Sequence, residues 1–484
     1  MNTFTKQSKT DNKHFAYSGF FPAAILALLT LFLFAGFGDS GQNPLNIGNR
    51  RELFVDDYLI DKMNGTELQL HHPTPREVCL VTDEPWEGNT CGYFTIFQDD
   101  SLYRMYYRGS HSGEPEHREV TCYAESKDGI HWKKPNLGLH EFNGSKANNI
   151  IWDSLGTHNF TPFKDQNPDA KPEAKYKSLA RGKEEGRHGL FAFQSPDGIH
   201  WSLMSDELVI TKGAFDSQNL AFWDPVRQEY REYHRDFKED IRDIRTATSD
   251  DFLHWSDPQW LEYPNAPKEH LYTNQVVPYF RAPHIFIGFP TRYIEDRGAL
   301  TEGLFMSSRD RRTFKRRTEA FIRPGLLPGK WQNRSNYIWW GLVETESPYP
   351  GGADQLSLYV NEGYYEGKSS RIRRYTLRID GFVSLSAPMK GGEMVTKPVI
   401  FSGDQLEINF STSAAGSLKV ELQDEKGKPI PGFTLDDCPE IYGDAIERTV
   451  EWNSNADLSK LAGKPVRMRF VLKDADLYSF RFQE

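Results

Sequence analysis

Ser126-Lys-Asp-Gly-Ile-His-Trp132 returns almost unchanged as Ser195-Pro-Asp-Gly-Ile-His-Trp201. A looser copy stands at Ser249-Asp-Asp-Phe-Leu-His-Trp255, and a worn fourth at Ser308-Arg-Asp-Arg-Arg-Thr-Phe314. Their aromatic ends lie 69, 54 and 59 residues apart. Repeats at this period mark solenoids, propellers or arrays, in which each unit buries its apolar face against the next. Each copy sets Asp-Gly, or a polar substitute, between alternating apolar runs, which is the pattern of a hairpin turn. The trailing aromatic suits packing between sheets. The expectation is an all-β chain built as a β-propeller.

Working outward, each unit opens with an apolar strand, turns, and runs back through an aromatic strand. The opening strands are Gly92–Phe97, His158–Phe163, Asn219–Trp223, Gln275–Phe280 and Tyr337–Val343. Their partners are Tyr103–Tyr107, Tyr176–Ala180, Tyr230–His234, His284–Gly288 and Gln355–Val360. Five blades of four strands fit a span of about 330 residues. After Asp380-Gly-Phe-Val-Ser384 the repeat stops, and short alternating strands such as Leu406–Phe410, Leu418–Leu422, Val466–Val471 and Tyr478–Phe482 predict a β-sandwich. The expected layout is a targeting segment over residues 1–38, a linker over 39–50, a five-bladed propeller over 51–390 and a sandwich over 391–484.

The 484 residues exceed one ordinary core, so two domains are the natural prior. A net charge of −10 argues against a nucleic-acid partner. Lys6, Lys9 and Lys13 precede the apolar run Phe20–Phe37, with small residues at Gly36 and Gly38. This reads as a signal peptide, or as a membrane anchor over 20–37, and in either case the body is expected to be exported. Cys79, Cys91, Cys122 and Cys438 form no C-x-x-C pair, so no zinc site is signalled. No cofactor is expected, though the channel leaves room for a structural cation.

In a propeller the start of each first strand and the end of each second strand share one rim. Asp99-Asp100, Asp224 and Asp354 fall at the other rim and read as turn formers, as do Asp128 and Asp197 in the outer hairpins. The first rim gathers Arg108, Arg181, Arg235 and Arg292 with His111, His158, His234, Asn219, Asn274 and Asn336 as candidate substrate contacts. Guanidinium forks suit carboxylate or sulfate oxygens. The candidate catalytic acids are Glu87 and Asp216 first, then Glu362 and Asp236, with Asp57 a further choice beside Asp56. Two carboxylates across a channel can hydrolyse a glycosidic bond, one giving a proton and the other attacking or activating water.

These repeats, the five inner strands and the C-terminal sandwich resemble the five-bladed glycoside hydrolases of families 32 and 43. The run Leu53-Phe-Val-Asp-Asp-Tyr-Leu-Ile60 is similar to exported bacterial proteins of the family-32-like kind. The resemblance spans residues 51–484 and implies a three-carboxylate site on a propeller. The family's Asn-Asp-Pro-Asn, Glu-Cys and Arg-Asp-Pro motifs are absent, so no catalytic residue carries over by motif. The repeated Ser-x-Asp-Gly-x-x-Trp also resembles a sialidase Asp-box short by one residue, which would make Tyr272 a nucleophile. The expectation is therefore a hydrolase of an acidic glycan, with a sialidase-like hydrolase and a non-catalytic glycan-binding propeller as alternatives.

Overall fold

The computed structural model describes residues 43–113, 118–184 and 187–484. The apolar lead and its expected cleavage point lie outside these residues. Among the described residues five separate antiparallel sheets of four strands follow one another, and three single 3₁₀ turns are the only helices. Blade 1 is Gly92–Asp99, Leu102–Gly109, Val120–Ser126 and Ile150–Trp152. Blade 2 is Thr161–Lys164, Tyr176–Glu184, Arg187–Ser195 and Ser202–Leu203, and blade 3 is Leu220–Asp224, Glu229–Lys238, Ile241–Ser249 and Gln259–Trp260. Blade 4, Val277–Tyr279, Ala282–Gly288, Met306–Ser308 and Lys315–Arg316, carries an extra hairpin at Thr291–Ile294 and Leu300–Gly303. Blade 5 takes Val343–Thr345, Gln355–Glu362 and Arg371–Arg378, and borrows Thr74–Val81 as its outer strand. That borrowed strand lies upstream of blade 1 in the chain, so it closes the ring. It also explains why the outer turn recurs only four times, since blade 5 has no turn from its third to its fourth strand.

The repeated phrase is a self-contained cluster of hydrogen bonds. Asp197 Oδ1 accepts the amides of Ile199 and His200, both at 2.8 Å, and Oδ2 meets His200 Nδ1 at 2.7 Å. Asp128 and Asp251 repeat the pattern, and Asp310 keeps its two amides. The position after each aspartate is left-handed, with φ of 71° at Gly129, 79° at Gly198, 70° at Phe252 and 76° at Arg311. The turns also tie blades together. Tyr359 of blade 5 donates to Gly129 O at 2.6 Å, Arg104 of blade 1 to Asp197 O at 2.9 Å, and Tyr233 of blade 3 to Arg311 O at 2.7 Å. Where blade 3 has Phe252 instead of glycine, its ring packs on Phe163 of blade 2.

The N-terminal strands correct the expected layout. Leu45–Gly48, within the expected linker, pairs with Val399–Phe401, while Glu52–Leu53, Ile60–Asn64 and Glu67–Leu70 pair with C-terminal strands. Residues 45–70 thus belong to a ten-stranded C-terminal sheet that folds over its own core as a sandwich. The strand ends at Leu53, and the chain bends over residues 54–57. Phe54 enters the sandwich core, whereas Leu53 and Val55 pack against blades 4 and 5. Asp56 binds Arg309 at 2.7 Å, and Asp57 is exposed beside Lys315 at 3.4 Å, away from the propeller rim chosen above.

Two stability outcomes follow from the turns. A Cβ on Gly198 would lie 2.7 Å from the buried Tyr106 hydroxyl and would force a left-handed alanine. Gly198→Ala should cost about 2 kcal/mol or more in urea unfolding. Burial pushes the Asp197 carboxyl up, but the His200 amide and imidazole bonds outweigh it and hold the group at about 2. A depressed folded value stabilises above the unfolded value of about 3.9 and is lost as pH falls through the folded one. The stability gap between wild type and Asp197→Asn should therefore be full at pH 7 and shrink between about pH 4 and pH 2.

Candidate functional site

All five blades contribute to one cavity of about 150 Å³ at the expected rim. Its walls are Tyr93 and Arg108 from blade 1, His158 from blade 2, Asp216 from blade 3, Tyr272 from blade 4, and Arg334, Tyr337, Trp339, Tyr364 and Tyr365 from blade 5. A larger cavity of about 470 Å³ opens at the opposite mouth, where mostly apolar side chains such as Ile96, Phe163, Phe222 and Trp340 surround it.

Asp216 sits in the loop that enters blade 3, and that loop is held from both sides. Asn159 Nδ2 donates to Phe215 O and Ser217 O, each at 2.6 Å, and Asn219 Nδ2 donates to the same two carbonyls at 3.1 Å. Ser217 Oγ donates to Tyr272 O at 2.7 Å. Phe215 is fully buried beneath. With the backbone fixed, the Asp216 carboxylate projects outward, its side chain 52% exposed.

His158 lies between two carboxylates. Its Nε2 is 2.8 Å from Asp216 Oδ1 and its Nδ1 3.0 Å from Glu119 Oε2. Arg108 Nη1 is nearly equidistant from both ring nitrogens, at 3.2 and 3.3 Å, so the guanidinium lies across the ring. Arg108 Nη2 donates to Thr90 O at 2.7 Å and to Tyr364 Oη at 2.8 Å. The His158 hydrogen bond, against some burial and with the charges of His158, Arg235 and Arg181, holds Asp216 well below the usual carboxylate range. Burial pushes Glu119 up, but the His158 bond and the Arg108 charge leave it lowered. Burial pushes the Tyr364 hydroxyl up to about 12, with Arg108 opposing.

Three cavity residues carry left-handed backbone, with φ of 55° at Tyr93, 53° at Arg334 and 64° at Tyr365. The register shift between Gly92 and Thr95 is the bulge that turns Tyr93 toward the cavity. Strain of this kind collects at functional sites.

Among the expected acids only Asp216 lines the cavity. Glu87, 2% exposed, receives Lys134 Nζ at 2.6 Å and Tyr107 Oη at 2.5 Å, and its carboxyl is pushed up by burial against the Lys134 charge. Glu362 is held by Arg373 at 2.6 Å and Asp236 by Arg245 at 2.9 Å. Of the expected contacts, Arg108 and His158 line the cavity, Arg181 reaches Asp216 at 3.4 Å, and Arg235 lies over the Tyr272 ring at 4.9 Å. The others lie elsewhere. Asn219 serves the Asp216 loop, His234 is fully buried on Glu232, and Arg292 is bound by Glu269 and Glu302. Asn274 and Asn336 bond backbone carbonyls, and His111 packs over Gly88.

Glu119 escaped the sequence reading because only first-strand starts and second-strand ends were assigned to this rim. In an antiparallel blade the third strand starts where the second ends, and Glu119 immediately precedes Val120–Ser126. Tyr364 and Tyr365 follow the left-handed Gly363, with φ of 70°, which turns the chain back over the cavity. Among the described residues no three His, Cys, Asp or Glu side chains converge as metal ligands would.

No family model and no curated protein matches the chain. Several solved structures resemble it. An N-acetylgalactosamine deacetylase from F. plautii, solved with blood group B trisaccharide, is 13% identical, with a TM-score of 0.41 over 61% of this chain and 95% of its own. A thermostable family-43 glycoside hydrolase is 12% identical, with a TM-score of 0.42 over 63% of this chain and 96% of its own. A glycosyl hydrolase from Bacteroides ovatus is 14% identical, with a TM-score of 0.38 over 69% and 96%. At this distance function rests on the cavity's own chemistry.

The Glu87 placement has a direct consequence. Removing one partner of a buried pair leaves the other charge uncompensated. Glu87→Ala should lower unfolding stability by about 3 kcal/mol, while ligand binding by the folded protein stays intact.

Proposed function

We propose that the chain is an exported glycoside hydrolase whose rim cavity takes one residue of an acidic glycan. The observation that carries this reading is His158 held between two lowered carboxylates on the wall of an aromatic cavity. Its volume of about 150 Å³ is below the range usual for whole drug-sized ligands, which suits a single sugar unit at a chain end. Tyr93, Tyr272, Tyr337 and Trp339 offer apolar ring faces with polar edges, and the arginines offer donors for acidic groups.

Glycosidic cleavage needs a proton on the leaving oxygen and an anion at the other face of the sugar. His158, 2.8 Å from Asp216, stands on the same side of the sugar as that carboxylate and would hold it in position, while solvent would supply the proton to the leaving oxygen. Asp216, ionised and outward-facing, would attack the sugar or activate water. Glu119 would keep the imidazole oriented. This differs from the pairing of Glu87 with Asp216, since Glu87 is buried on Lys134 and takes no part. One observation favours the alternative of glycan binding without turnover: both carboxylates bonded to His158 are held low, and neither is tuned as an acid.

The test is hydrolysis of a panel of uronate-bearing, sulfated and neutral glycans. Asp216→Asn should lower kcat/KM on the active glycan by about a hundredfold or more. Glu119→Gln should lower kcat more than it changes KM, because it acts through His158. Full activity in both variants would overturn the assignment, and binding of a glycan that wild type never cleaves would favour the alternative.

A further inference from the structure

We infer that Arg235 and Arg334 form an anion subsite beside the cavity, so that the bound sugar presents a carboxylate or sulfate to them. This deepens the reading above and rests on it for the sugar itself.

Arg181 is matched by Asp216, Arg108 by Glu119, and Arg292 by Glu269 and Glu302. Arg235 is different. It is 5% exposed, yet among the described residues its guanidinium makes no ion pair, and its buried Nε has no partner. It is sandwiched between rings, 4.9 Å from the centre of Tyr272 and 5.4 Å from that of Phe237. Arg334 lines the cavity itself. Its Nη1 donates to the Tyr365 hydroxyl, at 3.2 Å, and Tyr293 also hydrogen-bonds it, but no carboxylate among the described residues pairs with it and its Nε is buried without a partner. A third guanidinium, Arg242, stands 5.7 Å from the same Tyr272 ring, and its nearest carboxylate is Glu295 at 3.9 Å.

A guanidinium taken out of water without an oxygen anion is costly, and cation–π contacts only partly offset that cost. Asp216 is the anion that faces this group, but His158 and Arg181 already engage it. The residual charge around Tyr272 is therefore positive. A planar fork is built for two oxygens of one acid group. Tyr272 fixes Arg235 in place, which limits the entropy lost on binding.

Titration calorimetry on the full chain with three probes tests this: methyl β-D-glucuronide, glucose 6-sulfate and methyl β-D-glucoside. At low salt wild type should bind at least one anionic probe tenfold or more tighter than the neutral glucoside. The preferred probe tells carboxylate from sulfate. The preference should fall below threefold in Arg235→Met with the unfolding temperature retained, and Arg235→Lys, which keeps charge but loses the fork, should be intermediate. Equal binding of charged and neutral probes by wild type, or no binding of any, overturns the subsite. So does a preference retained in Arg235→Met, or in Arg334→Met should the first variant fail to fold. Anionic preference without turnover would sink the hydrolysis reading alone, and turnover of neutral glycans without that preference would sink this one alone.

Discussion

A carboxylate that accepts two backbone amides within its own turn is the interaction on which this molecule is built. In Asp128, Asp197, Asp251 and Asp310 it fixes the turn from third to fourth strand and forces the next residue into left-handed backbone. The same turn presents a carbonyl to the neighbouring blade, where Tyr359, Arg104 and Tyr233 bond it. One short phrase therefore does local and long-range work at once. The blade that lacks it is closed instead by Thr74–Val81, a strand from before blade 1, so both chain ends of the ring are tied into one sheet.

Once the blades are clamped, the rim needs little further design. Antiparallel pairing brings first-strand starts, second-strand ends and third-strand starts to one level. Side chains there converge without any long loop to carry them. What must be added is stiffness, because a half-exposed carboxylate on a mobile loop would not hold a fixed distance to an imidazole. Asn159 and Asn219 supply it by bonding the carbonyls on either side of Asp216. The charges divide in two. On the His158 side carboxylates and cations are matched, and on the Tyr272 side guanidiniums outnumber them.

Much of this was legible in the chain. Arg108, His158, Asp216, Arg181 and Arg235 follow from strand order once the turns are recognised, because each ends or begins an element whose direction is known. Glu87 and Glu362 satisfied the same positional rule yet turned inward, onto Lys134 and onto Arg373. Their partners lie 47 and 11 residues away, and nothing local announces them. Tyr93 required a bulge, and Tyr365 a glycine-led reversal, neither of which periodicity reports. Residues 51–60 misled for another reason. Their apolar run looks like one strand, but the first strand is only Glu52–Leu53, and the bend that follows sends Phe54 to the sandwich and Val55 to blades 4 and 5.

The sequence by itself determined the turns, the strand order and hence the five-bladed ring, because each of these depends on contacts within a few residues and on a phrase repeated in one chain. Only the tertiary structure decided which charges meet. Pairing depends on the rotation of one blade against the next, and a shift of a few ångströms there decides whether an arginine finds a carboxylate, as Arg181 does, or is left facing an aromatic ring, as Arg235 is.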